Sequence, residues 1–168
     1  MKRDELIRLI EDHGKTLTRF CLKLCRSRSN AEDLYQETWC RVISKFQQYD
    51  ASKPFQPWLF SICINIFRNI YKKEKRTLAA EFDSSEEQEW TISTTTGSNP
   101  VFNEDHDQIR QIVNELNEKH RIVIVLHYFS DYSVKEIASI IGIPQGTVKS
   151  RLDKARKIIK GRLEDNER

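Results

Sequence analysis

Glycine and proline are scarce in this chain, five and four in 168 residues, too few for the many turns of a β-sandwich. The cysteines Cys21, Cys25, Cys40 and Cys63 form no CxxC pair, and no spacing among them completes a zinc ligand set. Cys21 and Cys25 are one helical turn apart near the stripe carrying His13, so reduced thiols in or beside helical cores are expected. Long apolar runs are missing as well. The richest, Trp58 to Ile70, is interrupted by Ser61, Asn65 and Arg68 and is too short to span a membrane. The opening MKRDELIRLIEDHGK alternates acids and bases before any apolar run builds, unlike a secretory leader. No P-loop, no metal-binding carboxylate cluster and no nucleophile with its base is visible, and the four histidines are scattered. These absences lead to the expectation of a soluble, cytoplasmic protein that is not an enzyme and uses no cofactor and no metal.

What is present is helical periodicity and uneven charge. Leu6, Leu9, Ile10, His13, Leu17, Phe20, Cys21 and Leu24 recur at three- and four-residue spacing, which predicts an amphipathic helix over 6–26. A second helix is expected from near Asn30, with Asp33 completing an approximate capping box. Its expected apolar face is Tyr35, Trp39, Val42, Ile43 and Phe46, and Asp33, Glu37, Arg41, Ser44 and Gln48 cover the other side. Residues 47–56 break the pattern and read as a loop. Pro57 suits the first turn of a third helix running to about Arg76, which carries Asn65, Arg68, Asn69 and Lys72 and ends in a basic cluster. Residues 1–76 hold 16 basic and 9 acidic residues, whereas 77–104 hold 6 acidic and no basic ones. That acidic stretch lacks helical periodicity and reads as a flexible linker, with Phe82 and Trp90 as candidate anchors within it. Residues 105–168 hold 12 basic and 10 acidic residues, and 144–163 concentrate seven basic residues against one Asp, a distribution suited to nucleic acid. The fold expected is all-α: two small helical domains, 1–76 and 105–168, joined by the linker 77–104.

The sharpest geometry lies in 133–160. Ser133 and Glu136 make a capping box, Ile137, Ile140 and Ile141 a buried face, and Ala138 a site of close helix approach. Gly142 can end the helix in the left-handed conformation, and Pro144 opens the next. Val148, Leu152, Ala155 and Ile159 share the inward side of that second helix, and Gly146, Ser150, Asp153 and Lys157 share the outward side, flanked by Lys149 and Lys154. Ala138, Gly142 and Val148 stand at the spacing that a helix-turn-helix requires for packing.

With these residues in view, the chain resembles the extracytoplasmic-function sigma factors of the sigma-70 family. AEDLYQETWCRV resembles region 2.2, FQPWLFSICINIFRNIYKKEKR resembles regions 2.3 and 2.4, and YSVKEIASIIGIPQGTVKSRLDKARKIIK resembles region 4.2. The resemblance implies a promoter-specificity factor that binds RNA polymerase core, recognises the −35 and −10 elements and helps melt the latter. It implies docking on the β′ clamp helices through Asp33, Gln36, Glu37 and Arg41, with further contact to the β subunit. It implies capture of a flipped −10 base by the loop Tyr49–Gln56 and Asn65, with Arg68, Asn69 and Lys72 on adjacent bases or phosphates. Trp58 and Phe60 suit either base stacking or, in the favoured reading, core packing. For the −35 element it implies Thr147, Lys149, Ser150, Arg151, Lys154 and Arg156, the lysines toward base edges and the arginines toward phosphates. Asp153 would accept from a cytosine amino group or weaken nonspecific binding. An anti-sigma factor, in this family often membrane-bound, is a further implied partner; no small-molecule substrate is implied. The rivals are a ligand- or phosphoryl-sensing helix-turn-helix regulator, a nucleic-acid-processing enzyme, and a decoy that binds polymerase but no promoter. The first needs a receiver-like βα alternation or a ligand pocket in 1–76, the second a catalytic constellation, and the third a loss of basic character in the DNA-facing helices.

Overall fold

The computed structural model describes residues 3–81 and 104–168, and the described residues form helices and short connections without a strand. Helix α1 (Arg3–Leu24) buries Gly14, Leu17, Phe20, Cys21 and Leu24 along one side. Helix α2 (Arg28–Lys45) begins two residues before the expected start because Ser27 caps it, its hydroxyl accepting from the Asn30 amide at 3.1 Å. Its buried line is Ala31, Leu34, Thr38, Trp39 and Val42. This is a rotation from the expected face, leaving Ile43 47% exposed and Tyr35 and Phe46 half-buried at the edge. The hydroxyl of Thr38 is accommodated in the core by donating to the Leu34 carbonyl at 2.6 Å. Gly14 permits the close approach of α1 to α2, since a Cβ there would stand 3.2 Å from Tyr35 Oη.

Helix α3 (Phe55–Glu81) is the centre of the N-terminal half. It starts two residues before Pro57 and continues to Glu81, so residues 77–81, expected in the linker, are helical. Phe82 and Trp90 lie outside the described residues. Phe60 is wholly buried and stacks on Phe20 with ring centroids 3.9 Å apart, which settles it as core. Trp58 is half-buried, 5.0 Å from the Tyr49 ring. Cys21 and Cys63 face each other inside the core, sulfur to sulfur 3.8 Å. Burial pushes the Cys25 thiol up to about 12, so it is poorly reactive.

In the C-terminal half, α4 (Glu104–Glu115) precedes α5 (Glu118–Ile124), which Asn117 caps through the His120 amide. A π-helical turn, Val125–Phe129, then leads to α6 (Val134–Ile141) and α7 (Gln145–Asn166). Both halves of the capping box form: Glu136 N to Ser133 Oγ at 3.2 Å and Ser133 N to Glu136 Oε2 at 2.7 Å. Gly142 sits at φ 69°, the left-handed cap, and the amides of Gly142 and Ile143 both return to the Ala138 carbonyl. Pro144 precedes α7 as its N-cap and makes no side-chain cap. Ile137, Val148, Leu152 and Ala155 are buried between α6 and α7, with Ile140 and Ile159 half-buried.

The two halves do not keep separate cores. One continuous apolar cluster runs from Leu17, Phe60 and Phe67 in the N-terminal half to Ile122–Leu126, Ile137 and Leu152 in the C-terminal half. A domain of about 65 residues buries too small a fraction of its surface to be comfortable alone, and here each half covers part of the other. The cap and the glycine are the local determinants of the α6–α7 corner. Ser133→Ala is expected to destabilise the fold by about 1 kcal/mol, and Gly142→Val by about 1–2 kcal/mol because a β-branched residue opposes positive φ. Denaturant unfolding followed by circular dichroism measures both, and an unchanged midpoint in each would deny the corner that role.

Candidate nucleic-acid and partner interfaces

Four surfaces carry side chains that the core does not use. On α2, Asp33, Gln36, Glu37 and Arg41 are all exposed on the side turned away from α1 and α3. Arg41 Nη2 lies 3.6 Å from Glu37 Oε1, and such a solvated pair is held weakly enough to be exchanged for a partner's charges.

On α3 the expected nucleic-acid residues divide. Asn65, Asn69 and Lys72, at four- and three-residue spacing, are exposed on one strip. Arg68 is not with them. It leans toward the C-terminal half, with Nε 3.8 Å from Glu118 Oε1 and Nη1 donating to the Ile141 carbonyl at 3.4 Å. Burial lowers its pKa from the ordinary guanidinium value, partly offset by the Glu118 carboxylate. The loop before α3 is held by its own contacts: Tyr49 Oη donates to the Lys53 carbonyl, and Asp50 accepts from the Ser52 amide and hydroxyl. Gln56 Nε2 donates to Tyr132 Oη at 2.9 Å.

On α7, burial of Val148, Leu152 and Ala155 fixes the outward side, where Lys149, Ser150 and Lys154 stand exposed and Thr147 and Arg151 stand half-buried at the edge. Arg156 is exposed but engaged. Its Nε donates to Tyr128 Oη at 2.5 Å, and its Nη1 pairs with Asp153 at 3.0 Å. The acid that interrupts the basic face is thereby tied to a neighbouring arginine.

The fourth surface was not anticipated. Ile109, Val113, Tyr128, Phe129, Ile159 and Leu163 line an apolar groove of about 380 Å³ between α4, the π-helical turn and α7, with Arg156 and Lys160 at its rim. The signal was available: Ile122–Phe129 is apolar on every helical side, more than one small core can cover, and its last residues Tyr128 and Phe129 are 51% and 38% exposed. Among the described residues no group of His, Cys, Asp and Glu is placed to hold a metal ion, and no helix is long and apolar enough to cross a membrane.

Comparison with known proteins places this arrangement. Residues 9–77 match the family Sigma-70 region 2, and residues 106–159 match Sigma-70, region 4. The ECF RNA polymerase sigma factor SigL of Mycobacterium tuberculosis is 31% identical over 161 residues, covering 94% of this chain and 88% of the relative. SigW of Bacillus subtilis is 26% identical over 170 residues, covering 97% and 91%. Among solved structures, the sigma factor RpoE in complex with the anti-sigma factor NepR from Bartonella quintana is 26% identical with a TM-score of 0.71, covering 96% of both chains. CnrH in complex with the cytosolic domain of CnrY shares the fold at 20% identity and a TM-score of 0.68, covering 98% of this chain and 90% of that one. With the two family regions in order and a relative above 30% identity along nearly the whole chain, the protein belongs to the ECF sigma factors of the sigma-70 family.

Proposed function

We propose that the four surfaces divide the work of a promoter-specificity factor, with no catalytic step of the chain's own, in the cytoplasm. The outer face of α2 docks on the β′ clamp helices of RNA polymerase, Asp33, Gln36, Glu37 and Arg41 supplying the polar contacts. The strip Asn65, Asn69 and Lys72, with the loop 49–56, receives the melted −10 strand, and Arg68 joins it when released from Glu118. Helix α7 reads the −35 element. The apolar groove beneath it takes an amphipathic helix of the β subunit, whose apolar anchors seat between α4 and α7. An anti-sigma factor covers one or more of these faces in the uninduced cell, as NepR and CnrY bind the related chains. The observation that carries the reading is α7: a helix-turn-helix whose inward row is fully buried and whose outward row is Lys149, Ser150 and Lys154. Run-off transcription with purified core polymerase on a promoter-fragment library tests it, and no initiation above core alone on any fragment would overturn it.

Substitutions on the two N-terminal surfaces test them separately. Asp33→Arg with Glu37→Arg abolishes co-purification with core polymerase at unchanged helicity, because both substitutions lie on the exposed face; retained co-purification removes that face from the interface. Asn65→Ala weakens open-complex formation more than initial promoter binding, since a flipped base exists only after melting; permanganate reactivity at the wild-type level would deny Asn65 the pocket.

The α7 contacts separate by salt and sequence. Lys149→Ala and Lys154→Ala each cost about 1–3 kcal/mol on the preferred −35 sequence and much less on scrambled DNA. Arg156→Ala weakens both alike and lowers the salt slope by about one unit. Holoenzyme affinities on matched and scrambled duplexes at several salt concentrations make the comparison, and identical behaviour of all three would reduce α7 to an electrostatic clamp.

A further inference from the structure

We propose that the two halves form a self-closed state unable to engage a promoter, latched by Arg68–Glu118 and kept easy to open by the buried guanidinium of Arg121. The proposal rests on the promoter-binding reading above and adds a control step internal to the chain.

The closed state withholds part of the −10 surface. The Arg68 side chain is 21% exposed and its partner Glu118 14%, so a phosphate or base cannot replace that carboxylate while the halves touch. Gln56, in the loop before α3, is bonded to Tyr132 of the C-terminal half. Tyr132 also packs edge-on against Phe60, ring centroids 6.1 Å apart. Lys23 of α1 lies 4.5 Å over the Phe129 ring. Scale makes the same point. Elements at −35 and −10 lie about 25 base pairs apart, about 85 Å of duplex at about 3.4 Å per pair. A compact chain of this length has a radius of gyration of about 15 Å. With α3 packed on α6, the two reading helices cannot reach both elements, so promoter binding requires the halves to part.

Arg121 works against closure. It belongs to α5 but is buried among N-terminal residues, 1% exposed, its guanidinium 5.6 Å from the Phe67 ring centroid. Only one hydrogen bond is made, Nη1 to the Asn114 carbonyl at 3.3 Å, and Nε has no partner. Burial pushes its pKa down to about 10, with Arg26 nearby adding to the shift. Asn114 is in the same half, so opening keeps that bond and returns the rest of the guanidinium to water. A buried cation without a carboxylate in bonding contact opposes the state that buries it, and replacing it by an apolar side chain of similar volume often stabilises that state. The apolar seam and the Arg68 latch hold the halves together, and Arg121 keeps their separation within reach of a binding partner.

The test uses the full chain. Cys40 is exposed and the other three cysteines are buried, so dyes on Cys40 and on an introduced Asp165→Cys report the separation of the halves by energy transfer. Arg121→Met is expected to lower the open-to-closed ratio about threefold or more, and to weaken apparent binding to core polymerase by a similar factor. Glu118→Gln is expected to raise both by a similar factor. An Arg121→Met chain that opens, or matches wild type, overturns the role of Arg121. If Arg121→Met does not fold, Arg121→Leu takes its place, and loss of folding in both overturns that role, since the side chain would then be needed for the fold itself. Tyr132→Phe removes only the hydroxyl that Gln56 donates to, and it too should favour the open form. Energy transfer unchanged in both Glu118→Gln and Tyr132→Phe overturns the closed state. Because the transfer signal needs no polymerase, it stands or falls separately from run-off transcription, which tests the promoter-factor reading itself.

Discussion

Helix α3 is subject to two opposed demands, and the arrangement of the whole chain follows from them. Leu59, Phe60, Ile62, Cys63, Ile64, Ile66 and Phe67 are all buried, which takes up more of the helix circumference than one neighbouring layer covers. Helices α1 and α2 cover one side. The rest is covered by the other half of the chain, through α5 and α6. What remains for solvent is the narrow strip of Asn65, Asn69 and Lys72. The apolar excess of α3 thus draws the halves together, and the same contact narrows the surface available to nucleic acid.

The C-terminal corner was the most legible part of the sequence because its determinants are local. Ser133 and Glu136 are three residues apart and Gly142 stands where a helix must stop, so cap, end and following helix are specified without reference to distant contacts. The inward row of α7 was legible for the same reason, since Val148, Leu152 and Ala155 repeat at helical spacing. Helix α2 was less legible. Asn30 and Asp33 imitate a capping box, but Ser27 is closer to the true entry of the chain and satisfies the same amide. Its buried face was misread through Ile43 and Tyr35, which periodicity alone cannot rank against Leu34 and Thr38. Thr38 looks polar in sequence and is core because its hydroxyl is satisfied one turn back.

Contacts between the halves left no signal of that kind. Arg68 reads as one more basic residue on a basic helix, and its partner Glu118 is 50 positions away, across the acidic stretch. Arg121 is similarly silent, because a single arginine in EKHRIVIVL is ordinarily a solvated one. The groove under α7 had a trace in the uninterrupted apolar run that ends at Phe129, but assigning it to surface required knowing which of those residues α5 turns inward. Composition identified a chain of helices with basic ends; the mutual burial of its halves is a property of the assembled core.

The π-helical turn at Val125–Phe129 holds one residue more than an α-helical turn of the same rise. Val125 and Leu126 stay in the core, while Tyr128 and Phe129 emerge at the surface within the same five residues. The turn therefore acts as a phase shifter between α5, anchored in the shared core, and the α6–α7 corner that follows. Losing one residue there would restore regular winding and swing everything downstream by about 100°, the angle per residue of a helix with 3.6 residues per turn. The reading face of α7 would then point elsewhere while every contact within the α6–α7 corner stayed intact. In a chain of this construction the aim of the DNA-binding corner is set by a length, one residue in a turn that binds nothing.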